Sequence, residues 1–399
     1  MPYPLPISAR LSLFYMSMFL VIGLQLPYWP VWLKARGLDV GEIGIVLAAT
    51  FLVKLVANPL VGHLVDRRGD RRRPLLVLLA GSLGAYILFV PSSGFWGVLA
   101  VTVLTACFFT SIMPITENLT MLIAHQRGLD YGRIRLWGSL SFIVAAALGG
   151  RILVDLPVDA ILWLLIAFLA VGAGVGLALP DVRTASGRTH AAPARDLLLD
   201  PLFLLFLVAT GLLQLSHMIY YGFATLHWQA AGLSGTMIGW LWAIGVVAEV
   251  ALFAFSNRVV AWCGPGRLLV IAGAAGALRW AVLAITTEPL PLMAAQTLHA
   301  ATFGAMHLGA MHFITRAAPP GMSARAQALY SSMTIGLVAG LGMLAAGWLY
   351  QTLAGGAFLV MAGASAAGGA ASLILLRRWS GGAIVLPGTA VRPTAPAET

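Results

Sequence analysis

From Glu117 to Arg135 the chain reads E-N-L-T-M-L-I-A-H-Q-R-G-L-D-Y-G-R-I-R. Before this stretch it is mostly apolar from Phe95 to Ile115, and after it mostly apolar from Leu136 to Leu148. A short basic loop therefore joins two apolar runs, and a carboxylate and a guanidinium enter those runs from the loop's two ends. Runs of about 20 apolar residues are long enough to cross a bilayer as helices. Ionisable groups inside such runs are costly to bury, which makes them candidates for function.

Composition extends this reading to the whole chain. Of 399 residues 60% are hydrophobic and only 10% charged, with mean hydropathy +0.90, whereas soluble domains carry roughly 25% charged residues. An ordinary soluble globule is excluded. The net charge of +10 comes from arginines in short loops between apolar runs, so it reads as membrane topology and not as a nucleic-acid surface. Arg10 is followed by an apolar run without a small-residue cleavage site, which predicts a first span and not a cleaved signal. Cys107 and Cys263 are far apart, and neither a disulfide nor a metal site is expected.

Twelve spans can be placed, at about 11–33, 43–65, 74–92, 95–124, 136–154, 159–179, 202–226, 236–256, 267–286, 289–314, 327–350 and 355–376. All are expected to be helices, because backbone polar groups in lipid must pair within the segment. One set of loops, termini included, holds 19 Lys and Arg and the other holds 3. The positive-inside rule then puts both termini in the cytoplasm. The polar stretch between the sixth and seventh spans suggests two six-helix halves, 1–180 and 200–378, joined by a cytoplasmic linker at 181–199. The Gly-, Pro- and Ala-rich end, 379–399, is expected to be a disordered tail. The halves share a short repeat: G-L-D-V-G-E-I-G at Gly37–Gly44 and G-L-S-G-T-M-I-G at Gly232–Gly239, an offset of 195. Repeats of this kind are typical of transporters, whose substrate site lies between the repeats near the bilayer midplane. The same offset carries Lys54 onto Glu249, a cation and an anion at equivalent depth.

Several polar side chains fall inside the spans. Lys54 is near mid-span, where it either anchors an anionic substrate group or pairs with a carboxylate of a neighbouring helix. Glu117, three residues after Pro114, is a substrate or proton carboxylate, or else the partner of Lys54 or Arg135. Arg135 stands at a loop edge and can equally mark the cytoplasmic face. Glu249 is the only acid of the eighth span and Arg279 the only base of the ninth, which suggests a buried pair. His299, Thr302, Phe303 and Met306 share one face of the tenth span, where His299 can titrate near neutrality or simply be hydrogen-bonded. Gln214, His217, Tyr220 and Tyr221 share a broad face of the seventh. Like Tyr28, Trp29 and Trp32 of the first, they suit a cavity for an aromatic solute or an interfacial aromatic belt. Gly62, Asp66, Arg67 and Gly69 sit in G-H-L-V-D-R-R-G-D-R-R-R, where alternating charges at helix ends can latch one conformation, or merely anchor the loop. No H-E-x-x-H, G-x-S-x-G or nucleophile–base set is present, so an enzyme is not expected.

Twelve spans in two halves with the loop G-x-x-x-D-R-R-G-D-R-R resemble the major facilitator superfamily, an all-α fold of two pseudo-symmetric six-helix bundles. Glu117 followed after 17 residues by Arg135, in D-Y-G-R-I-R-L-W-G, resembles the oligosaccharide:proton symporter (lactose permease) group. Three segments are similar to the bacterial 3-phenylpropionate transporter group: Tyr220-Tyr-Gly-Phe223 with His227-Trp-Gln, Gly245-Val-Val-Ala-Glu249, and His299 with Thr302-Phe303 and His307. The resemblance implies that Glu117 and Arg135 are a substrate pair, and that Glu249, Arg279 and His299 couple protons. The chain departs from the permease group at Thr302, where that group has its proton-carrying glutamate, and at Gln296, where it has a lysine. Lys54 has no counterpart there, whereas the phenylpropionate group has a cation, which favours a carboxylate substrate.

The expectation is a multi-pass protein of the bacterial cytoplasmic (inner) membrane, a monomer without cofactors. It would import a small organic acid such as an arylpropionate with protons, by alternating access. Lys54, Glu117, Arg135, Tyr28, Gln214, His217 and Tyr221 would bind the substrate. Glu249, Arg279 and His299 would couple protons, with Glu249, Glu117 or His299 as the carrier. Gly62, Asp66, Arg67 and Gly69 would form the latch. Sugar or nucleoside symport, efflux of amphipathic compounds, and a non-transporting sensor are the alternatives.

Overall fold

The two copies of the repeat build the same joint twice. The computed structural model describes residues 5–180, 182, 194–319 and 322–385. In it Gly37 and Gly232 turn the chain at positive φ, 86° and 83°, a backbone that glycine adopts without a Cβ penalty. The amides of Leu38 and Leu233 reach back to the carbonyls of Leu33 and Trp228. Asp39 and Ser234 then cap the next helix, accepting from the amides of Glu42 at 2.8 Å and Met237 at 3.2 Å. Glu42 completes a capping box by accepting from the Asp39 amide at 2.9 Å. Each copy ends in a glycine where the new helix crosses the other half. A Cβ on Gly44 would lie 2.8 Å from Gly347 Cα, and one on Gly239 would lie 2.6 Å from the Ala146 carbonyl oxygen.

The first half comprises α1 (Ile7–Ala35), α2 (Val40–Arg68), α3 (Arg72–Ile87), α4 (Gly94–Phe109), α5 (Ile112–Arg127), α6 (Tyr131–Asp155) and α7 (Ala160–Leu177). After the short α8 (Ala194–Leu198), the second half comprises α9 (Pro201–Leu215), α10 (Met218–Ala230), α11 (Gly235–Ala254), α12 (Ser256–Ile285), α13 (Pro289–Thr297), α14 (Met306–Ala317), α15 (Ser323–Tyr330), α16 (Ala339–Leu353) and α17 (Ala357–Arg378). Wider π turns over Ala300–Ala305 and Ser331–Val338 join α13 to α14 and α15 to α16. Each of the twelve expected spans falls mostly on helix. Among the described residues, nine helical stretches are long and apolar enough to cross a membrane. The third expected span is the 16-residue α3, the tenth is the interrupted run 289–317, and the last two lie in one stretch, Ser323–Arg378.

The breaks have local causes. The fourth span parts at Thr110–Ser111 because Pro114, in the first turn of α5, has no amide to bond back to Thr110. At the break the Ser111 hydroxyl donates to Asn58 Oδ1 of α2 at 2.8 Å, and the Thr110 hydroxyl is shared between the Ala106 carbonyl at 2.8 Å and Asn58 Oδ1 at 3.2 Å. In α12, Gly264 leaves helical geometry at φ 70° just before Pro265.

Within the first half, α1 packs on α6 and α7, α2 on α4, and α3 on α4 and α7; within the second, α12 packs on α17 and α14, and α9 on α17. The halves meet where α6 crosses α11 and α2 crosses α16. Glycines make the closest approaches, Gly44 with Gly347 and Gly150 with Gly235. Tyr28 donates to the Ala146 carbonyl at 2.6 Å in the same seam. All these contacts lie toward the end of the bundle opposite the start of α1.

Residues 181 and 183–193 of the expected linker and 386–399 of the expected tail lie outside the described residues. Within the described part, the first residues of the expected tail pack on the second half. The Ile384 amide donates to the Ala317 carbonyl at 2.8 Å, Ile384 is buried, and Trp379 packs on Phe313. Burial of these two apolar side chains offsets the chain entropy that a Gly- and Pro-rich composition favours.

Candidate substrate and coupling site

The hairpin from α5 to α6 places the first pair. Gly128 ends α5 at φ 62°, and Asp130 caps α6 by accepting from the Arg133 amide at 3.1 Å. The chain folds back, and Arg135 Nε comes within 3.8 Å of Glu117 Oε1. Both side chains stay partly accessible, 31% for Arg135 and 44% for Glu117. Arg135 lies over the Phe19 ring at 4.2 Å, with the Tyr15 ring at 5.7 Å, a cation–π placement that helps to fix the guanidinium. Lys54 of α2 is close enough for its charge to act on Glu117. Among the described residues Lys54 makes no salt bridge.

One turn before Lys54, Thr50 borders a polar cavity of about 20 Å³ with Gln25, Trp29, Tyr86, Thr102 and Thr105. The hydroxyls of Thr102 and Thr105 have no protein partner there, and the Tyr86 hydroxyl faces Gln25. That is room for about one water, which such hydroxyls can bind.

The second half holds a different arrangement. Arg279 is fully buried, and its guanidinium donates to three neutral acceptors: Gln296 Oε1 at 2.6 Å, Thr302 Oγ1 at 3.0 Å and His299 Nδ1 at 3.0 Å. The rings of Tyr220 and Trp280 flank it at 4.4 and 4.6 Å. His299 Nε2 faces Glu249 Oε2 at 3.4 Å. The expected Glu249–Arg279 pair is therefore not direct; His299 stands between the two groups. Past His299 the helix widens into π turns, which often mark functional sites. His299, Phe303 and His307 form a stacked column there, with centroids 5.4 and 6.3 Å apart. His307 feels the charges of Glu249 and of Arg135 across the halves.

Gln214, His217 and Tyr221 lie beside this hub. His217 donates from Nδ1 to the Leu213 carbonyl at 2.9 Å, packs edge-on to Trp280 at 5.2 Å and stacks on Tyr221 at 5.6 Å. Its Nε2, an acceptor in that tautomer, has no protein partner. Trp280 donates to Ser216 Oγ at 3.2 Å, and Trp242 donates to Thr225 Oγ1 at 2.9 Å.

A model of the MFS_1 like family matches residues 8–360. The chain belongs to that family. It is 34% identical over 356 residues to the "Probable 3-phenylpropionic acid transporter" of Escherichia coli (strain K12), covering 88% of this chain and 93% of that one. It is 28% identical to the "Maltose permease" of Geobacillus stearothermophilus, covering 85% and 86%. The structure of nucleoside transporter NupG superposes with a TM-score of 0.82 at 16% identity, over 94% of this chain and all of that one. The protein is thus an MFS transporter, a multi-pass membrane protein and not an enzyme.

Within this MFS fold the expected residues separate into groups. Lys54, Glu117 and Arg135 form one electrostatic cluster, and Glu249, His299 and Arg279 with Tyr221 and His217 form another. Tyr28, expected with the substrate residues, is instead in the seam, bonded to Ala146. Of the latch residues, Gly69 ends α2 at φ 64°, Arg67 is exposed, and a Cβ on Gly62 would meet nothing within 4 Å. The side chain of Asp66 lies outside the described residues. Among the described side chains of that loop, the buried charges are its neighbours Asp70 and Arg71. Arg71 Nε donates to Asn118 Oδ1, beside Glu117. Sequence reasoning passed over Arg71 and Asn118, and it met Gln296 and Thr302 only as departures from the permease group, not as acceptors for Arg279. Asn118, adjacent to an intramembrane glutamate, was the one available signal.

Proposed function

We propose that this MFS transporter imports a small organic acid of the arylpropionate class together with protons, by alternating access. The observation that carries the substrate class is Lys54, a mid-span cation without a salt bridge among the described residues. Charged groups inside spans ordinarily pair, so a lone cation beside a Glu117–Arg135 pair suits an anionic ligand. The likeness to a probable 3-phenylpropionic acid transporter supports the same reading. The aromatic side chains around Arg279 and His217 would receive the ring, and Glu117 and Arg135 would orient the acid.

The two six-helix halves would rock about this site in the inner membrane, with both termini in the cytoplasm. The glycine seam would then lie at the outer end. The test is uptake of labelled 3-phenylpropionate into proteoliposomes. Wild type should transport it, and Lys54→Ala should weaken half-saturation by about 10- to 150-fold, the worth of one charge-assisted contact of roughly 1.5–3 kcal/mol. Equal uptake by Lys54→Ala would remove the anchor. A second reading, a neutral sugar or nucleoside, has the maltose permease likeness in its favour; competition of uptake by maltose or uridine but not by aryl acids would select it.

A further inference from the structure

The donors and acceptors around Arg279 decide which group can hold a transported proton. A guanidinium only donates, so His299 Nδ1, 3.0 Å from Arg279 Nη1, must be an unprotonated acceptor. The one imidazole proton is then on Nε2, the nitrogen that faces Glu249 Oε2 at 3.4 Å. A second proton on His299 would have to go on Nδ1. It would set N–H against N–H and put two cations side by side in a site where Arg279 has no accessible surface. Arg279 would also lose one of its acceptors, and those left, Gln296, Thr302 and the Tyr220 hydroxyl, are neutral. No acid replaces them, since Glu249 is the only carboxylate in the eighth to tenth spans.

Glu249 is under no such constraint. Its side chain keeps 18% of its surface accessible, and a carboxyl can take a proton on one oxygen while still accepting from His299 on the other. The groups that act on it are His299 at the end of α13, Tyr221 of α10, His307 of α14, and Arg279 of α12 through His299. Gly304 also lies beside it, where a Cβ would be 3.8 Å from Glu249 Cγ.

We propose that Glu249 carries the transported proton, and that His299, held neutral by Arg279, is a positioning residue that does not titrate during the cycle. The step is a proton transfer alone. The carboxylate takes a proton from water on one side, forming an O–H bond, and returns it to water on the other. This inference rests on the proton-coupled reading above.

The test uses the full-length protein in proteoliposomes, with two readouts. One is accumulation of labelled 3-phenylpropionate driven by an inward proton gradient, corrected for protein-free liposomes. The other is exchange of preloaded for external substrate without a gradient. Glu249→Gln should exchange but not accumulate. His299→Gln, whose amide offers one acceptor to Arg279 and one donor to Glu249, should do both with the wild-type pH profile. His299→Ala should lose accumulation. Exchange without accumulation in His299→Gln, or accumulation in Glu249→Gln, would overturn the assignment. Absence of gradient-driven accumulation in wild type would overturn the coupled reading itself.

Infrared difference spectra of the protein between acidic and neutral pH cover variants that do not fold. A protonated-carboxyl band should appear in wild type and shift in Glu249→Asp. A band that does not shift, or an imidazolium signal from His299, contradicts the proposal.

Discussion

Lys54, Glu117 and Arg135 show how one membrane-embedded charge conditions the next. Glu117 and Arg135 satisfy each other loosely at 3.8 Å, which leaves Lys54 without an ion-pair partner among the described residues. Arg substitution keeps the charge but not the compact ammonium, so Lys54→Arg should retain partial uptake where Lys54→Ala loses it; initial rates over a concentration series would show this. At the second hub, Thr302→Glu would place a carboxylate against Arg279, where Thr302 Oγ1 now accepts at 3.0 Å. It should compete with His299 for the guanidinium and lower gradient-driven accumulation more than exchange. A variant with both activities unchanged would show that the Arg279–His299 contact is dispensable.

At the scale of elements, the repeat could be seen in the sequence as shared letters, but its meaning needed the fold. Gly37 and Gly232 are turns, Asp39 and Ser234 caps, Gly44 and Gly239 crossings. Asp39→Ala should cost about 1 kcal/mol of stability, and Gly37→Ala about 1–2 kcal/mol because its φ of 86° is left-handed. Thermal unfolding in detergent would measure both. Gly239→Val belongs to a different class. Its Cβ meets backbone, which cannot yield, so the closed seam should be disfavoured by about 1–3 kcal/mol, roughly 5- to 150-fold. Uptake should fall while substrate binding persists, and the end of the bundle bearing Gly37 should become more reactive to thiol reagents at introduced cysteines. Unchanged uptake would mean that the seam does not close during transport.

At the scale of the whole molecule, run length and loop charge made the helical membrane architecture legible, because lipid enforces it residue by residue. The Glu117–Arg135 hairpin was legible because a single short loop connects its ends. The Arg279 hub was not. Its acceptors Gln296, His299 and Thr302 are spread over a widened helix, and which of them face α12 depends on helix rotation that no periodicity encodes. The seam contact of Tyr28 was hidden for the same reason: an aromatic near a helix end fits a cavity or a seam equally well in one dimension. The packing of Trp379 and Ile384 depends on Phe313 and Ala317, far away in sequence.

The central claim is that this molecule moves an aryl acid with protons. Neutral aryl acids also cross lipid unaided, so the decisive comparison is between loaded and protein-free liposomes under one inward proton gradient. Protein-bearing vesicles should accumulate labelled 3-phenylpropionate faster and to a higher level, and a protonophore should abolish the excess. Uptake indistinguishable from protein-free vesicles would contradict the account.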